Sequence, residues 1–247
     1  DEFISSGGFR DSELLRNYVS DLGDYQRLIE RYEEKDPGEK LFVFNVTMQN
    51  HGGYEEESPD FREEIKAEGD LAGYEQADRY LSLMKKSDEA FQYLVEYFEQ
   101  VEEPTMIVMF GDHQAAIETE FYETLYGKSM KELTAEEADK QYVTPLIIWT
   151  NYETEAQPVD KISANYLGAK ILDLANLKLT AYDRMLLENW ESIPILGKNG
   201  YYFADGTYTA WGKNAEKPDL MRAYQRMEYN YVADRKNRVD SLFTITP

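Results

Sequence analysis

The sequence predicts an α/β domain, a mainly parallel sheet flanked by helices. Three observations predict it. Short apolar runs at 41–48, 105–110 and 143–149 read as buried strands. A long amphipathic stretch, 74–98, lies between the first two. Strand–helix–strand units of this kind join parallel strands by a right-handed crossover. The first two runs also end in polar loops, where open α/β sheets place their chemistry, at the carboxyl ends of the strands.

The elements follow in order. Leu14, Leu15, Tyr18, Leu22, Tyr25, Leu28, Ile29 and Tyr32 recur at helical spacing, which predicts helix over 9–34, broken near Ser20-Asp21 and stopped by the turn at Pro37-Gly38. Leu41 to Met48 is mostly apolar, as a central strand would be. Its Asn45-Val46-Thr47 sequon is discounted as part of that strand. Residues 55–70 are acidic and aperiodic, a surface loop. Tyr74, Ala77, Leu81, Met84, Phe91, Val95 and Phe98 form the stripe of the clearest helix, 74–98. Asp88 falls on that stripe and is read as a carboxylate bonded to nearby backbone.

After the strand at 105–110, residues 118–126 read as a helix with Phe121, Tyr122 and Leu125 inward. Thr134 with Glu137 three residues on has the form of a capping box. Pro145 is tolerated near the start of the strand at 143–149. Helices are predicted at 160–175 and 180–190, a hairpin about Asp205-Gly206 within 201–209, and a last helix from Asp219 to Val232 with Tyr224, Met227 and Tyr231 at core spacing. The expected organisation is one domain over 1–247, with about 195–247 as a hairpin-and-helix appendage.

Composition narrows the classes. The 247 residues hold 48 acidic and 26 basic side chains, a formal net charge of −22. That balance repels phosphate backbones and anionic membranes, so no nucleic-acid partner is expected, and it favours cations. No apolar run approaches the ~18 residues of a membrane span, so no membrane contact is expected of this chain. The absence of cysteine removes disulfides, thiolate metal sites and a cysteine nucleophile from this stretch. With only two histidines, His51 and His113, a His-rich di-zinc site built by this chain alone is excluded. The opening Asp1-Glu2-Phe3-Ile4 resembles neither a signal peptide nor a natural start, which predicts a piece of a longer protein.

The candidate site lies where Met106-Ile107-Val108-Met109-Phe110-Gly111 runs into Asp112-His113. A carboxylate oxygen beside an imidazole nitrogen suits Mn²⁺, Mg²⁺ or Zn²⁺. A capping aspartate with a bystander histidine is the plainer reading of that dipeptide, since short motifs match often by chance. The second strand changes the balance. If 41–48 and 105–110 are parallel, His51 in Gln49-Asn50-His51-Gly52-Gly53-Tyr54 and the Asp112-His113 pair share one rim.

These segments resemble a known family. Phe42 to Tyr54, Phe110-Gly111-Asp112-His113 and Thr144 to Trp149 resemble the sulfatase-like lipoteichoic acid synthases, phosphoglycerol transferases of the alkaline phosphatase superfamily. Ile162-Ser163-Ala164-Asn165-Tyr166-Leu167 and Tyr224 to Asn230 look like its Firmicutes branch. The resemblance runs in order over nearly the whole chain and implies an alkaline-phosphatase/sulfatase-like fold lacking its N-terminal part. It implies that Asp112 and His113 are metal ligands, with Mn²⁺ foremost and Mg²⁺, Zn²⁺ or Ca²⁺ as alternatives, and that His51 contacts the substrate's phosphoryl or sulfuryl group.

In that family the nucleophile is a threonine, and it and an acidic metal ligand lie upstream of the matching segments. Thr47, within a predicted strand, and Thr105, opening one, do not replace it. The resemblance therefore implies an enzyme in the intact parent and an inactive fragment. The expected substrate is an anionic small molecule or lipid-linked glycerophosphate of the cell envelope. The expected setting is a membrane-anchored parent outside a Gram-positive cell. A true sulfatase, or a non-catalytic remnant binding glycan or a partner, are the alternatives.

Overall fold

The computed structural model describes residues 2–9, 11–154, 159–212, 218–234 and 236–245. The chain divides into two units, 1–105 with 114–132, and 106–113 with 133–247. Among the described residues, no helix is long and apolar enough to cross a membrane.

The first unit opens differently from the expectation. In place of helix over 9–20, Leu14–Leu15 (β1) and Tyr18–Val19 (β2) form an antiparallel hairpin. Arg16 and Asn17 turn it with positive φ at both positions, 53° and 66°, as a two-residue type I′ loop requires. Helix starts only at α1, Asp21–Glu33, where the Ser20 hydroxyl accepts from the Gly23 N–H. Helical spacing upstream was genuine, but a hairpin buries Leu15 as well as a helix would.

Helix α2, Glu75–Glu99, packs along α1. Its buried face includes Ala77, Leu83, Ala90, Phe91, Leu94 and Phe98, while Asp88 points to solvent. Tyr32 of α1 meets the Phe98 ring edge-on at 5.1 Å. A second small core gathers Leu15, Tyr54, Phe61 and Leu83. Helix α3, Thr119–Tyr126, ends at Gly127 with φ +66°. The Glu118 carboxylate before α3 accepts from the N–H groups of Gln76 and Ala77, two donors that α2 leaves unsatisfied at its first turn.

The segment 41–48 is the main correction. It is irregular, and Phe42 and Phe44 are 87% and 74% exposed. An apolar run becomes a strand only when a neighbour supplies ladder hydrogen bonds, and none of the described residues pairs with it. The parallel strand–helix–strand unit is therefore not formed among the described residues.

In the second unit, Met106–Phe110 (β3) pairs antiparallel with Leu146–Thr150 (β4), in register from Met106 opposite Thr150 to Phe110 opposite Leu146. Every strand pair among the described residues is antiparallel. The Thr134 capping box is present ahead of Ala135–Asp139 (α4). Ala164–Leu174 (α5) and Ala181–Ser192 (α6), the latter with its own box from Thr180 and Asp183, share a core of Tyr166, Ala169 and Leu186.

Three short strands follow: Ile195–Leu196 (β5), Gly200–Tyr202 (β6) and Tyr208–Ala210 (β7), with Gly206 at φ +86° in the predicted Asp205-Gly206 turn. Buried Asp139 accepts from the Asn199 N–H at 2.9 Å and the Tyr208 hydroxyl at 3.0 Å, tying α4 to this sheet. Asp219–Val232 (α7) closes the unit. Its Tyr224 lies against the Tyr166 core, while Tyr231, on the surface, stacks on Tyr182 at 5.9 Å.

Candidate functional site

In the second unit the site residues stand at the end of β3. A Cβ on Gly111 would lie 3.1 Å from Thr144 Cβ, closer than side chains ordinarily pack, so glycine leaves Thr144 undisturbed at this point. The Thr144 hydroxyl donates to the Gly111 carbonyl at 2.8 Å, and the Gly111 N–H donates to the Pro145 carbonyl at 3.2 Å. The chain thus leaves the sheet at a fixed point, and Asp112 and His113 emerge side by side.

Both side chains are exposed. The His113 N–H donates to Asp112 Oδ1 at 2.8 Å, and His113 Nε2 lies 3.5 Å from Asp112 Oδ2. A carboxylate oxygen and an imidazole nitrogen so close suit a hard or borderline divalent ion in kind. In number they are incomplete: among the described residues no three His, Cys, Asp or Glu side chains gather to hold a metal ion. Further donors would have to come from water, substrate or other parts of the protein.

In the first unit, His51 sits on a loop held from two sides. From below, buried Gln49 accepts from the Asp21 N–H at 3.1 Å and donates to Ser87 Oγ at 3.1 Å. Ser87 in turn donates to Asp21 Oδ2 at 2.6 Å and accepts from Asn50 Nδ2 at 2.7 Å. The Tyr54 hydroxyl donates to the Asn50 carbonyl, and Arg79, buried on α2, donates to the Tyr54 carbonyl at 2.6 Å.

From above comes the β1–β2 hairpin. Arg16 Nη2 donates to the Gly53 carbonyl at 2.9 Å, its guanidinium lying over the Tyr54 ring. The Tyr18 hydroxyl lies 3.1 Å from His51 Nδ1. The loop itself turns at Gly53, φ +96°, and the His51 N–H donates to the Met48 carbonyl. His51 is exposed at the top of this cradle.

Two carboxylates lie under the loop. Burial raises the Asp21 carboxyl above the usual range, against hydrogen bonds from Ser87, Thr47 and the Gln49 backbone that lower it. Burial lifts Asp24 to about 6, helped by the nearby Asp21 charge and opposed by the hydrogen bond from Asn45. Sequence reading missed Arg16, Tyr18, Gln49 and Ser87 as supports of His51. Arg16-Asn17 is not among the turn pairs that announce a hairpin, so the signal was weak.

Residues 8–177 match the model of the sulfatase family. The chain belongs to the sulfatase family. The matched span runs from before β1 to just beyond α5 and includes His51, Asp112 and His113. The fold is also found in a solved structure. Streptococcus pyogenes phosphoglycerol transferase GacH, in complex with sn-glycerol-1-phosphate, superposes with a TM-score of 0.69 at 20% identity, over 96% of this chain and 56% of GacH. The alkaline-phosphatase-like α/β class expected from the sequence is thus the fold of this sulfatase-family chain.

A Rhizobium meliloti (strain 1021) protein, provisionally named a cyclic beta-1,2-glucan modification protein, is 28% identical over 244 residues, covering 92% of this chain and 36% of its own length. The chain therefore spans about a third of that relative and about half of GacH.

Proposed function

We propose that this chain is the C-terminal portion of a sulfatase-family enzyme that cleaves or transfers phosphoesters, a phosphoglycerol transferase or phosphodiesterase acting on glycerophosphate groups of the cell envelope. The observation that carries the reading is the Gly111-Asp112-His113 strand end within a sulfatase-family match. Two features support the assignment to one portion. Relatives extend well beyond the matched span, and the apolar run 41–48 exposes Phe42, Phe44 and Val46, as a strand does when its neighbours lie elsewhere in the protein. GacH, which shares the fold, is a phosphoglycerol transferase whose structure holds a glycerol phosphate.

In this reading Asp112 and His113 are the two ligands that the chain gives to a divalent ion, Mn²⁺ foremost. Such an ion would supply Lewis acidity toward the ester oxygen and the nucleophile. His51 would hold a non-bridging oxygen or protonate the leaving oxygen. The nucleophile would belong to the rest of the protein, which we propose to be anchored at the outer face of a Gram-positive membrane.

The test uses the intact ectodomain, with release from a phosphodiester and from an aryl sulfate followed in Mn²⁺, and His113→Ala as control. Phosphodiester turnover lost in the variant supports the proposal. Turnover confined to the sulfate would make the protein a true sulfatase. Metal binding without turnover on either ester, or neither binding nor turnover, would overturn the substrate assignment or the enzymatic reading respectively.

A further inference from the structure

We infer that Tyr18 is a positioning residue that fixes the tautomer of His51, keeping its proton on Nε2. The inference rests on the role proposed for His51 only for its consequence, because the contact itself is geometric. Tyr18 Oη lies 3.1 Å from Nδ1, and the two rings are 5.5 Å apart, inclined at 48°. A neutral imidazole has one donor and one acceptor nitrogen, and the bond made by one sets the state of the other. A phenol is a better donor than acceptor, because its oxygen lone pair is shared with the ring. The imidazole lone pair, by contrast, is a strong neutral acceptor. The favoured arrangement is Tyr18 O–H donating to Nδ1, which places the proton on Nε2.

The surroundings give this bond a fixed geometry. Tyr18 stands on β2, one residue past a turn whose Arg16 grips the carbonyls of Gly52 and Gly53 at 3.4 and 2.9 Å. Ser20, two residues further, caps α1 and donates to Glu13 at 2.7 Å, closing the hairpin base. His51 is held at the other end by its own turn to Met48 and by Gln49 and Asn50 on Ser87. Both partners of the Tyr18–His51 bond are thus anchored through rigid elements. The consequence is an imidazole that presents an N–H, and not a lone pair, to an anionic substrate. A phosphoryl oxygen would meet a hydrogen-bond donor in the neutral ring.

The test is nitrogen NMR on the uniformly ¹⁵N-labelled 247-residue chain, recorded at alkaline pH. Only two histidines contribute, and His113→Asn assigns them. The expected His51 spectrum has Nδ1 at the shift of an unprotonated nitrogen and Nε2 at that of a protonated one. In Tyr18→Phe the two shifts should move toward each other as the tautomers mix. A wild-type ring protonated on Nδ1, or shifts unchanged in Tyr18→Phe, would overturn the inference. Should Tyr18→Phe fail to fold, Tyr18→Leu, which also removes the hydroxyl, is read in the same way. Ester turnover enters neither outcome, so a failed assay would count against the proposed function and leave this result standing.

Discussion

The Thr144 hydroxyl holds the Gly111 carbonyl at 2.8 Å, and Thr144 Cβ and Cγ2 would stand 3.1 and 3.3 Å from a Cβ on Gly111. Glycine at the strand end is therefore favoured by close packing against a residue 33 positions away. Gly111→Ala should cost about 1–3 kcal/mol from overpacking and displace Asp112 and His113 together. Thermal unfolding measures the first effect. Paired changes in the amide shifts of 112 and 113 measure the second, and a silent spectrum would refute the displacement.

Removing His113 should act on metal before it acts on fold, since its side chain is exposed. In the intact protein proposed above, His113→Ala and Asp112→Asn are each expected to weaken Mn²⁺ binding in calorimetry and to lower turnover by about 100-fold or more. The melting temperature of the metal-free protein should stay unchanged. Near-normal rates in His113→Ala would remove it from the proposed site.

The buried carboxylates under the His51 loop give stability a pH dependence with a definite sign. Asp24 titrates at about 6 in the folded chain, above its usual value of 3.8. The folded state thus binds the proton more tightly, so stability is greatest below about pH 4 from this group and falls as pH rises toward and through 6. The full loss is on the order of 3 kcal/mol. Asp21, also raised by burial, acts in the same direction. Chemical denaturation at pH 5 and 7 should show a smaller difference in Asp24→Asn than in wild type.

Arg79 anchors the chain on the far side of the loop. It is buried, pairs with Glu63 at 2.9 Å and donates to the Tyr54 carbonyl. Arg79→Ala leaves a buried carbonyl without its donor and should destabilise by about 3 kcal/mol or more. Hydrogen exchange is expected to rise in residues 54–67 of this variant. Equal exchange in both forms would show that Arg79 carries little of the loop's order.

If the chain is part of a longer protein, as proposed, the exposed run 41–48 should change state there. There the amides of Phe42, Phe44 and Val46 are expected to exchange at least about 100-fold more slowly than in this chain, the mark of ladder hydrogen bonds. Equal exchange in the two forms would show that the segment forms no strand in the whole protein.

Much of the local structure was legible in the sequence. The capping box at Thr134, the Asp205-Gly206 turn, strand 106–110 and the long helix α2 are each decided by contacts within a few residues. So was the juxtaposition of Asp112 and His113, because neighbours at a strand end need no distant partner to lie together. What only the tertiary structure decided has one cause, that the deciding partner is remote in sequence. Leu14 to Val19 fits helix spacing, yet becomes a hairpin that grips carbonyls 36 and 37 residues on. Leu41 to Met48 has the composition of a strand, yet with no ladder bonds from a neighbour among the described residues it stays irregular. The sequence identified His51 as a candidate, but the Tyr18 hydroxyl at its ring nitrogen came from folding, which brings together residues 33 apart.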